Sequence, residues 1–232
     1  MPEVIFNGPE GRLEGRYHHS NQPGAPVAVV LHPHPLYGGT MNNKIVYKMF
    51  QVFAQNGFSV LRFNFRGVGR SIGKFDDGIG ELSDAATALD WLQQQNPDAS
   101  SHWISGFSFG AWISMQLLMR RPELDSFVAV SPPANMYDFS FLSPCPASGY
   151  VLQGDKDDIV KLEDVDKLVD KLSSQKMGNV KYDIFEGADH YFRNNQDELE
   201  TALQSYVTNR LESLIEERSV RPDKKRRQLP RE

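Results

Sequence analysis

The chain has 232 residues, 40% hydrophobic and 11% aromatic, enough to bury one large core and most simply a single α/β domain. Its net charge is −5, yet seven of its 25 Lys and Arg residues lie from Arg218 onward beside Asp223 and Glu232, which leaves the body ahead of them near −10. An acidic body argues against a nucleic-acid partner, and no apolar run reaches the ~20 residues of a membrane span.

The start, Met1-Pro2-Glu3-Val4, lacks the basic residues and long apolar stretch of a signal peptide. One cysteine, Cys145, excludes an internal disulfide framework. A cytoplasmic protein without membrane contact is expected. The domain is expected over residues 1–217, with a basic, disordered tail over 218–232.

The first expected elements are two short strands, Val4-Phe6 and Leu13-Tyr17, paired antiparallel across Asn7-Gly8-Pro9-Glu10-Gly11. Val27 to Leu31 is a continuous apolar run, as in a strand buried on both faces. A helix from about Asn43 to Asn56 follows, with Val46, Phe50 and Phe53 on one face and Gly57 closing it. Next come the strand Ser59-Phe65, a glycine-rich turn, and a helix with Leu82, Ala85, Ala86, Leu89 and Leu92 on one stripe. The strand His102-Ser105 leads through a sharp turn to a helix marked by Ala111, Met115, Leu118 and Met119. Phe127-Val130, Tyr150-Leu152 and Tyr182-Phe185 read as further strands. A helix with Val165, Leu168, Val169 and Leu172 buried comes between the last two, and a final helix opens at Asn195 and Glu198. Strands alternating with helices in this way make a mostly parallel, doubly wound sheet with helices on both faces.

The chemistry centres on Gly106-Phe107-Ser108-Phe109-Gly110, a G-x-S-x-G pattern between a strand and a helix. There a serine is held at the tip of a strained turn, where it can act as a nucleophile. Its partners should follow along the chain as a carboxylate and then a histidine. Only His190 lies beyond Ser108, so it is the candidate base. Asp155, Asp157 and Asp158 share one loop after Tyr150-Leu152. Asp157, past the strand end, is the preferred orienting acid, with Asp158 as a cap and Asp155 as a brace. Asp189, beside the histidine, reads as solvated or structural.

The loop His32-Pro33-His34-Pro35-Leu36-Tyr37-Gly38-Gly39 follows a buried strand and suits an oxyanion hole. Proline has no N–H, so His34 is the first candidate donor, with Leu36 or Tyr37 behind it. The N–H of Phe109 is the second donor, and Tyr37 is a candidate substrate contact. A metal held by His32 and His34 is disfavoured, because no carboxylate or further histidine follows closely. Gly67-Val68-Gly69-Arg70-Ser71-Ile72-Gly73 has the wrong spacing for a dinucleotide loop and reads as a tight strand exit.

HPHPLYGGTMNNK, NFRGVGRSIG, GFSFGA, YDFSFL and GDKDDIV together resemble a compact bacterial subgroup of serine α/β-hydrolases, similar to dienelactone-hydrolase-like and acyl-peptidase-like proteins. The resemblance runs from Val4 to about Leu214. It implies an α/β-hydrolase fold and, for the acid three residues after Gly154, Asp157. Two departures stand out: the elbow carries Ser108 rather than a cysteine, and the stretch before Tyr150 is too short for a helical cap. The expectation is a capless serine hydrolase of a small-molecule ester or related acyl compound, working without a cofactor. Thioester or short-peptide hydrolysis on the same residues, and a non-catalytic binding protein of the same fold, are the alternatives.

Overall fold

The computed structural model describes residues 2–142, 144–145, 147–174 and 179–220, and these form one eight-stranded sheet with five α-helices. In chain order the strands are β1 (Glu3–Gly8), β2 (Gly11–His18), β3 (Val27–Leu31), β4 (Ser59–Phe63), β5 (His102–Phe107), β6 (Leu124–Val130), β7 (Ser148–Gly154) and β8 (Val180–Phe185). The helices are α1 (Lys44–Gln55), α2 (Ile79–Gln95), α3 (Phe109–Leu118), α4 (Leu162–Ser173) and α5 (Gln196–Val220).

The spatial order is β1-β2-β4-β3-β5-β6-β7-β8. β1 and β2 are antiparallel, β2 meets β4 antiparallel, and every later pairing is parallel. The chain steps from β3 outward to β4, then crosses back to place β5 on the other side of β3. This reversal opens a crevice outside the carboxyl ends of β3 and β5, where sites on open α/β sheets assemble.

The sheet divides the core in two. On one face α1 and α5 cover Val30, Val60, Trp103, Val128 and Tyr150. On the other, α2, α3 and α4 cover Val29, Leu61, Ile104, Phe127 and Val151. Alternate residues of one strand therefore feed opposite cores, which is why β3 and β4 are buried at all five positions.

Helix ends follow local chemistry. Asn43 caps α1, its Oδ1 accepting from the N–H of Ile45 at 2.9 Å, and Gly57 (φ +82°) closes the helix. Glu81 accepts from the N–H of Gly78 at 2.8 Å and so ties down the start of α2.

Three expected boundaries shift. β4 ends at Phe63 rather than Phe65, because the N–H of Phe65 donates to His32 Nε2 (3.0 Å) instead of a strand carbonyl, while the Asn64 side chain bonds the N–H of Met41 (2.8 Å) and Glu14 Oε1 (2.6 Å). α3 stops at Leu118, leaving Met119 as its exposed cap. α5 runs to Val220, and Arg218 bonds both oxygens of Asp125 at 3.0–3.1 Å. Residues 218–220 therefore belong to the helix, not to a tail. The remaining tail residues, 221–232, lie outside the described residues.

Candidate active site

β5 delivers Ser108 to the crevice with φ +54° and ψ −121°, a conformation that costs a non-glycine residue on the order of 1–3 kcal/mol. The surroundings hold it there. Its N–H donates to Val130 O at 2.9 Å, and its carbonyl accepts from the N–H of Ala111 at 2.8 Å. The flanking glycines are sterically required. A Cβ on Gly106 would lie 2.2 Å from backbone atoms of Gly110, and one on Gly110 would lie 2.5 Å from Leu31 O. The strand-to-helix turn is thereby pressed against the exit of β3.

His190 reaches Ser108 from the loop after β8. Its Nε2 lies 3.2 Å from Ser108 Oγ, and its Nδ1 lies 2.7 Å from Asp157 Oδ2. The carboxylate accepts, so Nδ1 carries the proton and Nε2 is free to take one from the hydroxyl. The ring is buried against Phe107, centroid to centroid 5.0 Å.

Asp157 Oδ1 accepts from the N–H groups of Ile159 (2.9 Å) and Val160 (2.7 Å). Burial opposes its ionisation, but the His190 hydrogen bond and charge and the two backbone donors outweigh it and hold the carboxyl below its usual range. Asp157 thus does the turn-capping expected of Asp158, which stays exposed. Asp155 braces as expected: its Oδ1 accepts from the N–H of Gly187 at 2.7 Å, joining the acid loop to the histidine loop. Asp189 is structural, pairing with Arg193 at 2.8 Å.

One participant lies outside every sequence motif. Gln153, inside the apolar strand β7, donates from Nε2 to Asp157 Oδ2 (3.0 Å) and Val160 O (3.1 Å). It fixes the same carboxylate oxygen that His190 uses. A buried amide at the end of an apolar run was its only trace.

The loop after β3 forms a single 3-10 turn over Pro35–Tyr37. Leu36 N–H donates to His34 Nδ1 at 3.2 Å and Tyr37 N–H to His34 O at 3.1 Å, so both reserve oxyanion donors are already committed. Among the described residues the N–H groups of His34 and Phe109 have no such acceptor. The His34 ring packs between Tyr37, Phe75 and Phe109, and burial lowers its pKa despite the charge of Asp77.

His32 is tied to backbone. It is fully buried, its Nδ1 donating to Pro33 O (2.6 Å) and its Nε2 accepting from the N–H of Phe65 (3.0 Å). Both ring nitrogens are engaged by backbone, and burial lowers its pKa to about 4. Among the described residues no three His, Cys, Asp or Glu side chains converge in a way that would hold a metal ion. The glycine turn after β4 is a tight exit: Gly67, Gly69 and Gly73 all have positive φ, and Ser71 Oγ is tied to Asn64 O at 2.6 Å.

His34, Tyr37, Ser108, Phe109 and His190 all line one cleft of about 460 Å³. Pro133, Met136, Tyr137, Ile159 and Tyr191 also line it, beside Asn43, Pro33, Gly38 and Gly39, so its walls are chiefly apolar and aromatic. Tyr37 stands exposed at the rim. Among the described residues, the connection from Val130 to Ser148 contains turns but no helix, and its Pro133, Met136 and Tyr137 form part of the cleft wall.

Residues 17–224 match the profile of the family described as X-Pro dipeptidyl-peptidase (S15 family). The chain is 54% identical over 232 residues to the uncharacterized protein RP471 of Rickettsia prowazekii, with 98% of each covered. It superposes on ATU1826 of Agrobacterium tumefaciens, a protein of unknown function, with TM-score 0.89 and 55% identity, over 91% of this chain and 97% of that one. XC6422 of Xanthomonas campestris, an α/β serine hydrolase without a lid, matches with TM-score 0.80 and 31% identity, over 90% and 94%. Fold, elbow and these likenesses agree: the chain belongs to the S15 family and is a serine hydrolase of the α/β-hydrolase fold.

Proposed function

We propose that the protein hydrolyses small carboxylic esters through an acyl-enzyme on Ser108. The observation that carries this reading is the relay from Ser108 Oγ through His190 to Asp157, at 3.2 Å and 2.7 Å. His190 Nε2 takes the hydroxyl proton as Oγ attacks the carbonyl carbon. Asp157 keeps the imidazole in the tautomer this requires and stabilises the imidazolium. The N–H groups of His34 and Phe109 receive the developing oxyanion. His190 then protonates the leaving alcohol, and a water, deprotonated by the same nitrogen, releases the acid. The cycle uses side chains, backbone and water alone.

The apolar walls around Phe109, Met136 and Tyr137 suit the acyl half of such an ester. Side-by-side turnover of p-nitrophenyl esters of graded chain length, by the wild type and Ser108→Ala, tests the reading. Ester cleavage that survives in the variant would refute it. The description of the family favours a second reading, cleavage of an amide after proline. Ala-Pro-p-nitroanilide and a thioester in the same assay separate these. Lack of labelling by a fluorophosphonate would point instead to a non-catalytic binding protein.

A further inference from the structure

Beyond the wall made by Asn43 and Tyr191, the catalytic cleft adjoins a second groove of about 410 Å³. The two spaces share these residues, and Lys44, Ile45, Arg193 and Gln196 complete the groove. On a body carrying about −10, this groove presents two cations. Lys44 is exposed and enters none of the ion pairs among the described residues. It occupies the first position of α1, where the helix dipole disfavours positive charge, so helix stability gives it no reason to be there. Arg193 is held beside the shared wall by Asp189 at 2.8 Å and by the Tyr191 ring, 5.0 Å from its guanidinium carbon. Among the residues that line the groove, the charged ones are the two cations, Lys44 and Arg193.

The chemistry says which half of a substrate reaches it. A leaving alcohol departs toward His190 Nε2, which protonates it. Tyr191 packs edge-on against the His190 ring, with centroids 5.1 Å apart, and is the wall leading into the groove. On the ester-hydrolase reading the acyl half takes the apolar side, where Phe109 and Tyr137 line the cleft.

We infer that the groove binds an anionic group, phosphate or carboxylate, carried on the leaving-group half of the ester, with Lys44 and Arg193 selecting for it. The inference rests on the ester-hydrolase reading above and names its substrate class: esters of anionic alcohols.

Butyrate esters of phenol, 4-hydroxybenzoate and 4-hydroxyphenyl phosphate supply neutral, carboxylate and phosphate leaving groups. The readout is the ratio of kcat/KM for charged over neutral ester, compared between wild type, Lys44→Gln and Lys44→Gln/Arg193→Gln. Comparing ratios cancels the reactivity of each phenol and any general loss of rate. Lys44→Gln is expected to lower the ratio about 3–10-fold, and the double variant further, since charge-assisted hydrogen bonds in an open groove are partly screened. The ester with the larger drop identifies the preferred anion. Equal ratios in wild type and double variant for both charged esters overturn the proposal.

Calorimetric titration of Ser108→Ala with 4-hydroxyphenyl phosphate and 4-hydroxybenzoate, with and without Lys44→Gln, reads the groove without turnover. If the wild type cleaves none of the three esters, the ester reading fails and the titration decides the groove. Affinity weakened about 3–10-fold by Lys44→Gln sustains it. No binding, or binding indifferent to Lys44, ends it.

Discussion

Ser108 sits in a backbone conformation that neighbouring chain enforces, and this projects its hydroxyl toward His190 rather than into the start of α3. Ser108→Ala leaves the backbone bonds to Val130 and Ala111 intact, so the expected outcome is a folded protein with kcat lowered about 10³-fold or more. Unchanged circular dichroism beside an ester assay checks both halves. The three loop aspartates should separate cleanly. Asp157→Asn is expected to cost about 10²–10⁴-fold in kcat, because an amide does not hold the imidazole in the required tautomer. Asp155→Asn acts on the brace to Gly187 and should show mainly as lowered stability. Asp158→Asn, at an exposed position, should change little. Loss of activity in Asp155→Asn or Asp158→Asn with Asp157→Asn still active would assign the orienting carboxylate to that residue instead.

Between elements, two buried polar contacts hold the strand ends that frame the crevice. His32 bridges the exits of β3 and β4, and its pKa falls from 6.5 to about 4 because burial disfavours the charged ring. In the native state it stays neutral, whereas the unfolded chain takes up a proton below about pH 6.5. Stability from this site is therefore complete above pH 6.5 and is lost as pH falls toward 4, by about 3 kcal/mol in full. Urea midpoints between pH 7 and 4.5, with the His32 ring signal followed by NMR, check this. A ring that titrates near its ordinary value would contradict it. Arg66 and Asp84 form a buried two-point pair, 3.0 and 2.8 Å, fastening the chain after β4 to α2. Asp84→Ala strands the guanidinium and is expected to cost about 3 kcal/mol, the low end for a broken buried pair, since Glu10 remains 3.2 Å from Arg66. Arg66→Met/Asp84→Leu should recover much of that loss in the same urea unfolding measurement.

At the scale of the molecule, the open cleft governs how substrate arrives. Among the described residues no helix stands between β6 and β7 to act as a lid that a lipid surface would displace. Rate against a short-chain ester is expected to saturate smoothly, with no jump as the ester passes its solubility limit. Sharp activation at an emulsion interface would contradict an open site.

Periodicity and turn chemistry alone determined the alternation of strands and helices, the elbow at Ser108 and, as the one histidine after it, His190. These signals are local: apolar runs, stripes at helical spacing and a glycine-flanked serine are written in consecutive residues. The choice among Asp155, Asp157 and Asp158 was not local, because all three lie within four residues and only the packing of β7 against β8 decides which carboxylate faces the imidazole. Gln153 was invisible for the same reason, its role arising from where β7 ends in space. The end of β4 was equally non-local, because the Phe65 N–H answers to His32 and the Asn64 side chain to Met41 and Glu14, partners 23 to 50 residues away. The groove at Lys44 and Arg193 is likewise purely tertiary. Its two cations stand 149 positions apart in the chain and meet only because α1 and the histidine loop close on the same end of the sheet.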